Sequence, residues 1–255
     1  MGNNRRKTRL FWIDSQLHFA KRAGSYNYSA GWVRDHILIE EIYQLAELTP
    51  DAYVLDIGIG TGKIAEAFHK KVKYVAGVDI SMDMARCATR HVDAVVLSPA
   101  ERMPFKDKVF DICICRQGLQ FMEIDKVLKE TYRVSKPCGV LILCHLTAYG
   151  QEDKDTTFLI QRLRNPARKN FFLPTDFYGI LKRNNFRDIE FFEYITRESV
   201  NRWINNGTIN KRQQERIKRI YQEAPEDFKR IHNIQFKNDQ ISDSMKMLIV
   251  RAKKL

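Results

Sequence analysis

No stretch of this 255-residue chain approaches the run of about 18 apolar residues that a membrane-spanning helix requires. The opening Met-Gly-Asn-Asn-Arg-Arg-Lys has no apolar secretion core. Position 6 is Arg, where a myristoylation signal calls for Ser or Thr. A free cytoplasmic protein is the expectation. The five cysteines (Cys87, Cys113, Cys115, Cys138 and Cys144) contain no C-x-x-C pair, which argues against a zinc site or a disulfide framework, so no metal is expected. Cys113 and Cys115 lie inside an apolar run and read as small core hydrophobes, as a reducing compartment allows. Internal repeats and low-complexity tracts are also missing.

What is present is an ordinary globular composition, 44% hydrophobic and 29% charged. The length suffices for one sizeable core, with or without a small appended subdomain. The net charge of +12 sits mostly in residues 151–255, which hold 22 basic and 14 acidic side chains. There Lys211, Arg212, Arg216, Lys218 and Arg219 cluster around Glu215. Such a cluster on a helix is a solvated face, or a patch that attracts an anionic substrate or a membrane surface.

Apolar residues at near-helical spacing from Trp32 to Leu48 predict a helix that Pro50 ends. Beyond it, short β-branched runs (Tyr53–Ile57, Tyr74–Asp79, Ala94–Leu97, Val109–Cys115, Val140–His145) alternate with helical stretches at Gly62–Lys71, Met82–His91 and Lys126–Val134. That alternation predicts an α/β fold, a parallel sheet with helices on both faces. In residues 151–255 a loop and helix over Phe171–Asn184 precede two strands, Asp188–Thr196 and Met245–Lys253. Between them, residues 197–243 read as a polar helical insertion. The domain reading is an N-terminal helical lid over 1–50 and one domain over 51–255.

The chemistry starts at Val54-Leu55-Asp56-Ile57-Gly58-Ile59-Gly60-Thr61-Gly62, a buried strand running into glycines. Glycines at alternate positions let a ligand approach the backbone, because no Cβ intervenes. Such a turn alone fits a dinucleotide loop, a phosphate loop or a plain tight turn. The spacing here is G-x-G-x-G, not G-x-G-x-x-G, and Ile64 follows Gly62-Lys63 where a phosphate loop needs Ser or Thr. Asp56, two residues before the first glycine, would repel a pyrophosphate but suit a cationic ligand. S-adenosylmethionine, with an ammonium, a sulfonium and no phosphate, is such a ligand. The next strand ends Gly77-Val78-Asp79-Ile80-Ser81. Its carboxylate could accept hydrogen bonds from both ribose hydroxyls, or only cap the following helix.

These two segments, with Ala100-Glu101-Arg102-Met103-Pro104-Phe105, Phe110–Cys115 and Lys136-Pro137-Cys138-Gly139, occur in the order found in class I methyltransferases. The chain most resembles the type 11 group, which includes ubiquinone/menaquinone-biosynthesis methyltransferases and the carrier-protein methyltransferase of biotin synthesis. Phe19–Asn27 resembles the entry segment of the same enzymes. The resemblance, strongest over about 19–145, implies a Rossmann-like, doubly wound, seven-stranded sheet with Met245–Lys253 as its one antiparallel strand. It implies that Asp56, Gly58, Gly60 and Gly62 form the loop around the methionine moiety. It further places Asp79 on the ribose, Ile80 and Met84 against the adenine, and the Ala100 N–H at the ring edge. Arg116 and Gln117 would border the methionine end, and Tyr26 would close over the cofactor. One departure is marked: where the family has an adenine-binding Asp, this chain has Pro99.

Methyl transfer is an in-line displacement that needs alignment and dryness more than acid–base help. His145, at the end of the fifth strand, is the candidate substrate-side base; Gln120 and Tyr149 are candidate acceptor-side residues. Phe171, Phe172, Phe177 and Tyr178 either wall an apolar pocket or form core. The remaining histidines read as ordinary. The favoured reading is a small-molecule methyltransferase. An RNA or protein substrate is the alternative, set back by the absence of an Asn/Asp-Pro-Pro-Phe/Tyr signature after the fourth strand, and a non-catalytic cofactor-binding scaffold is the third. Oligomeric state is open.

Overall fold

The computed structural model describes residues 16–255; the first fifteen positions of the expected lid lie outside the described residues. A helical turn at 16–20 and two short 3-10 turns, Tyr26–Tyr28 and Gly31–Val33, lead into α1 (His36–Leu45). Asp35 caps α1, its carboxylate accepting from the Ile37 and Leu38 N–H groups. There follow β1 (Tyr53–Ile57), α2 (Ala65–Phe68), β2 (Tyr74–Asp79), α3 (Met82–Ala88) and β3 (Ala94–Leu97). Next come β4 (Phe110–Arg116), α4 (Ile124–Val134), β5 (Ser135–Leu146), α5 (Lys154–Arg164) and α6 (Asp176–Arg183). The chain ends with β6 (Phe186–Ser199), α7 (Val200–Ile204), α8 (Lys211–Glu223), α9 (Glu226–Ile231), β7 (Gln235–Lys237) and β8 (Gln240–Lys254). No helix among the described residues is long and apolar enough to cross a membrane.

The sheet runs β3-β2-β1-β4-β5-β8-β6, with β7 paired to the start of β8. Strands β1 to β5 pair in parallel, and β8 is antiparallel to both β5 and β6. The antiparallel strand is therefore where the sequence placed it. Strand order reverses between β1 and β4, so their carboxyl ends part and leave a crevice. Alternation along each strand feeds two cores. Val54, Ile112, Ile114 and Ile142 pack on one face with α1 and the α7–α9 region, while Leu55, Ile57, Cys113 and Cys115 pack on the other with α4 and α6. Cys113 and Cys115 are core residues, and burial pushes both thiols up to about 12.

Three expectations need correction. The stretch Gly62–Lys71 yields only the four-residue α2, because Gly62 and the turn that follows it are used to shape the loop. The insertion 197–243 is not helical throughout. Residues 197–199 continue β6, and from Gln235 the chain forms a β7–β8 hairpin, leaving α7–α9 between them. Hairpin and strand extension satisfy backbone groups that a polar pattern alone does not announce. Helix α5, unforeseen in the sequence, supports α8. The exposed side chains of α8 include Lys211, Arg212, Arg216 and Arg219 of the basic cluster, with Lys218 half-buried and Ile217 and Tyr221 forming the buried stripe. His232 is not ordinary either. It is buried, with Nε2 2.9 Å from Asp153 Oδ2 and Nδ1 2.9 Å from Asp243 Oδ1, and Tyr221 donates to the other Asp243 oxygen at 2.7 Å. This network fastens the insertion to β8.

Candidate active site

The carboxyl ends of β1, β2, β3 and β4 open into a cleft, the place where such sheets take their ligands. Its floor is the loop after β1. Gly58 and Gly60 both have positive φ (69° and 56°) and both line the cleft. A Cβ on Gly60 would meet nothing nearer than the Gly58 carbonyl at 3.9 Å, so it would stand in the open space a ligand needs. Gly62 has a different duty. A Cβ there would come within 3.1 Å of Ala88 on α3, so Gly62 permits close packing of loop and helix and does not line the cleft. The expectation that it touches the ligand is corrected.

Asp79 ends β2 and lines the cleft. Its Oδ2 accepts from the Gly60 N–H and its Oδ1 from the Ser81 N–H, each at 2.8 Å. A carboxylate offers about four acceptor sites, so two remain for ligand hydroxyls. The capping of α3 falls instead to Ser81, whose hydroxyl accepts from the Met84 N–H. Burial raises the Asp79 pKa, opposed by the N–H groups of Ser81, Gly60 and Ile80. Asp56 lies beneath the loop and is not itself a cleft-lining residue. Burial pushes its carboxyl up to about 7, with Arg116 pulling it down and Asp79 adding to the rise. One of its oxygens, Oδ2, has no partner.

Ile80, Met84, Ala100, Arg116, Gln117 and Tyr26 all line the cleft, from four separate stretches of chain. Gln117 sits at φ 57° immediately after β4, with its N–H donating to the Cys144 carbonyl at 2.9 Å. Its side-chain amide contacts the Met247 sulfur at 3.5 Å and accepts from Gln120 at 2.9 Å. The N-terminal segment is tied down over the site at two points. Arg116 donates to the Trp32 and Val33 carbonyls at 3.2 and 3.1 Å, and the Thr61 hydroxyl donates to Asn27 Oδ1 at 2.6 Å. Sequence reasoning had not assigned Phe19, Phe121, Ser98 and Glu101, which also line the cleft. Phe19 lay within the entry segment, and its spacing from Tyr26 was a usable signal. At Pro99 nothing polar replaces the family's Asp, but Ser98 and Glu101 flank the gap on either side.

A second, smaller pocket adjoins the first and shares Phe19, Tyr26, Gln117 and Phe121 with it. Gln120 lines it, donating to Gln117 Oε1 at 2.9 Å. His145 does not face either space. It is fully buried between Phe172 and Phe177, and its Nδ1 lies 3.0 Å from Gln120 Oε1. Burial, then Arg168, pushes its pKa down to about 3, so it is neutral. Its place as a substrate-side base is corrected to a partner that orients the Gln120 amide. Phe172 and Phe177 are thus core, while Tyr178 is exposed. Tyr149 is also corrected: its hydroxyl donates to the Ser244 carbonyl at 2.7 Å and its ring packs on His232, away from both chambers.

Residues 55–143 match the family model described as a methyltransferase domain. Over 190 residues the chain is 31% identical to an uncharacterised protein of Methanocaldococcus jannaschii, an alignment covering 71% of this chain and 86% of that protein. The chain belongs to the S-adenosylmethionine-dependent methyltransferases. Its fold is similar to that of the YcgJ protein from Bacillus subtilis, with a TM-score of 0.79 at 22% identity over 86% of this chain and 98% of that one. The malonyl-[acyl-carrier protein] O-methyltransferase of Serratia marcescens is 28% identical over 159 residues, 61% of each chain. The chain therefore spans less than two thirds of that methyltransferase's length. For a methyltransferase of this family the cofactor is S-adenosylmethionine. The residues present fit it: Gly60 leaves the space, Asp79 keeps two acceptor sites, and the acidic Asp56 lies buried beneath the loop.

Proposed function

We propose that this methyltransferase transfers a methyl group to a small molecule seated in the second chamber. The observation that carries this reading is the pair of adjoining spaces. The first has the loop and carboxylate that suit a nucleoside, and the second is reached past Tyr26, Gln117 and Phe121 and roofed by the N-terminal segment. S-adenosylmethionine supplies an electrophilic methyl on a sulfonium when bound. Asp79 holds the ribose hydroxyls, Gly58 and Gly60 admit the amino-acid end, and Ile80 and Met84 press on the adenine. Glu101 and Ser98 serve the adenine edge in place of the missing Asp.

Arg116 and Thr61 hold the N-terminal segment closed as a lid, which excludes water and leaves the acceptor poised in line with the methyl. The polar groups that reach the second chamber are amides, guanidiniums, indoles and the Tyr26 phenol, which position an acceptor by hydrogen bonds. A pocket this small favours a small molecule over RNA, whose attraction to the basic face of α8 would lie outside both spaces. Labelled-methyl transfer into small-molecule and RNA fractions of a cell extract tests the reading. Label in a low-molecular-weight product supports it. Label in RNA alone, or cofactor binding with no transfer to any fraction, overturns it.

A further inference from the structure

Arg22, Arg164 and Arg168 converge on the second chamber from the N-terminal segment, the end of α5 and the loop after it. None of the three has an ion-pair partner among the described residues, and no Asp or Glu lines the chamber. Their hydrogen bonds go to neutral oxygens. Arg22 donates to the Ser29 hydroxyl at 3.4 Å, Arg164 to the Trp203 carbonyl at 2.9 Å, and Arg168 to the Asn170 carbonyl at 2.8 Å. Arg22 and Arg164 are 3% and 6% exposed, yet Arg22 Nε and Arg164 Nη2 have no acceptor. The buried Trp32 and Trp203 Nε1 donors are unpaired too. Glu198 attracts Arg164 electrostatically, but its oxygens accept from the Gly31 and Trp32 N–H groups and from Arg202.

Buried guanidiniums without a counter-charge are strongly unfavourable unless something else supplies it. The neighbouring histidines register the positive field. Burial, then Arg22, Arg164 and Lys21, lower His18 to about 4, and burial, then Arg168, lowers His145 to about 3. The unpaired nitrogens named above are donors, beside the unpaired carbonyl oxygens of Gln161 and Asn165, and guanidinium donors in a fork match a carboxylate or phosphate in geometry as well as charge.

We infer that the second chamber is an oxyanion site, in which Arg22, Arg164 and Arg168 grip a carboxylate or phosphate of the methyl acceptor and the Trp32 and Trp203 indoles complete the donor set. This rests on the small-molecule reading above and adds the acceptor's chemical class. The anionic group is the handle, and the methyl-receiving atom lies toward Tyr26 and Gln117, where the two spaces meet.

The test is calorimetry on the full chain, with and without S-adenosylhomocysteine, titrating malonate, inorganic phosphate and, as a cationic control at matched ionic strength, choline. Saturable binding of malonate or phosphate but not choline is expected, and the tighter anion tells a carboxylate acceptor from a phosphorylated one. Arg164→Gln and, separately, Arg168→Gln should each weaken the anion by about tenfold while S-adenosylhomocysteine affinity stays within about twofold. Arg168 is on a loop and only partly buried, so its variant remains informative if Arg164→Gln fails to fold. Absent anion binding, or anion binding that both folded variants retain, overturns the inference. Failure of S-adenosylhomocysteine to bind would instead strike the cofactor assignment, and the titrations without it would still decide the anion site.

Discussion

Replacing Asp79 by alanine removes the one carboxylate that joins the loop after β1 to the start of α3. In the protein alone, the Gly60 and Ser81 N–H groups each lose a 2.8 Å acceptor. Gly60 lines the open cleft, where water can replace the lost acceptor, but Ser81 is 1% exposed, so its orphaned N–H should lower folding stability by about 1–3 kcal/mol. With cofactor, two further hydrogen bonds from the ribose hydroxyls disappear. A hydrogen bond to a charged group contributes about 1.5–3 kcal/mol, so the pair accounts for at least about 3 kcal/mol. At about 1.4 kcal/mol per decade, S-adenosylhomocysteine should bind on the order of 100-fold more weakly. Calorimetric titration gives the affinity, and urea unfolding of the same preparation separates it from stability. If Asp79→Ala folds and binds within about threefold of the parent, the ribose assignment is refuted and Asp79 is only the clasp of its own loop.

Gly60→Val should abolish detectable S-adenosylhomocysteine binding, because its side chain would enter the cleft, and the positive φ should cost about 1–2 kcal/mol of stability; retained binding refutes the cradle. Pro99→Asp places beside Ala100 the acid that the family resemblance implies and should tighten S-adenosylhomocysteine by up to about tenfold, equivalent to about 1.4 kcal/mol; unchanged or weaker affinity means that Ser98 and Glu101 already fill the role. Burial lowers the His232 pKa, but Asp153 and Asp243 outweigh it and lift it from 6.5 to about 9. A raised histidine stabilises fully below pH 6.5 and loses that contribution as pH climbs through 9. Urea midpoints should therefore fall more between pH 6.5 and 10 for the parent than for His232→Gln; parallel curves would show that the network carries no charge-dependent stability.

Much of the cofactor cleft was legible in the chain because its signals are local. The glycines at 58 and 60, the carboxylate ending β2 and the Ala100 turn each follow a strand within a few residues, and a parallel sheet brings strand ends together at one edge. The same locality misled at Gly62, where spacing cannot tell a glycine that admits a ligand from one that admits a neighbouring helix. It misled again at His145, whose position at the end of β5 was read correctly. Its exposure depended on Phe172 and Phe177, which close over it from a segment nearly thirty residues away.

The amino-acid order alone determined the parallel sheet and the glycine-and-carboxylate half of the site, since strand alternation and turn chemistry act over short spans, while the antiparallel strand was implied by the family resemblance. Only the tertiary structure decided the acceptor half. Arg22, Arg164 and Arg168 share no periodicity and no motif, and they become one site because the N-terminal segment folds back across the sheet edge onto the end of α5. Their unmatched charge is visible only once burial has removed water from around them, and burial is a property of the packed chain.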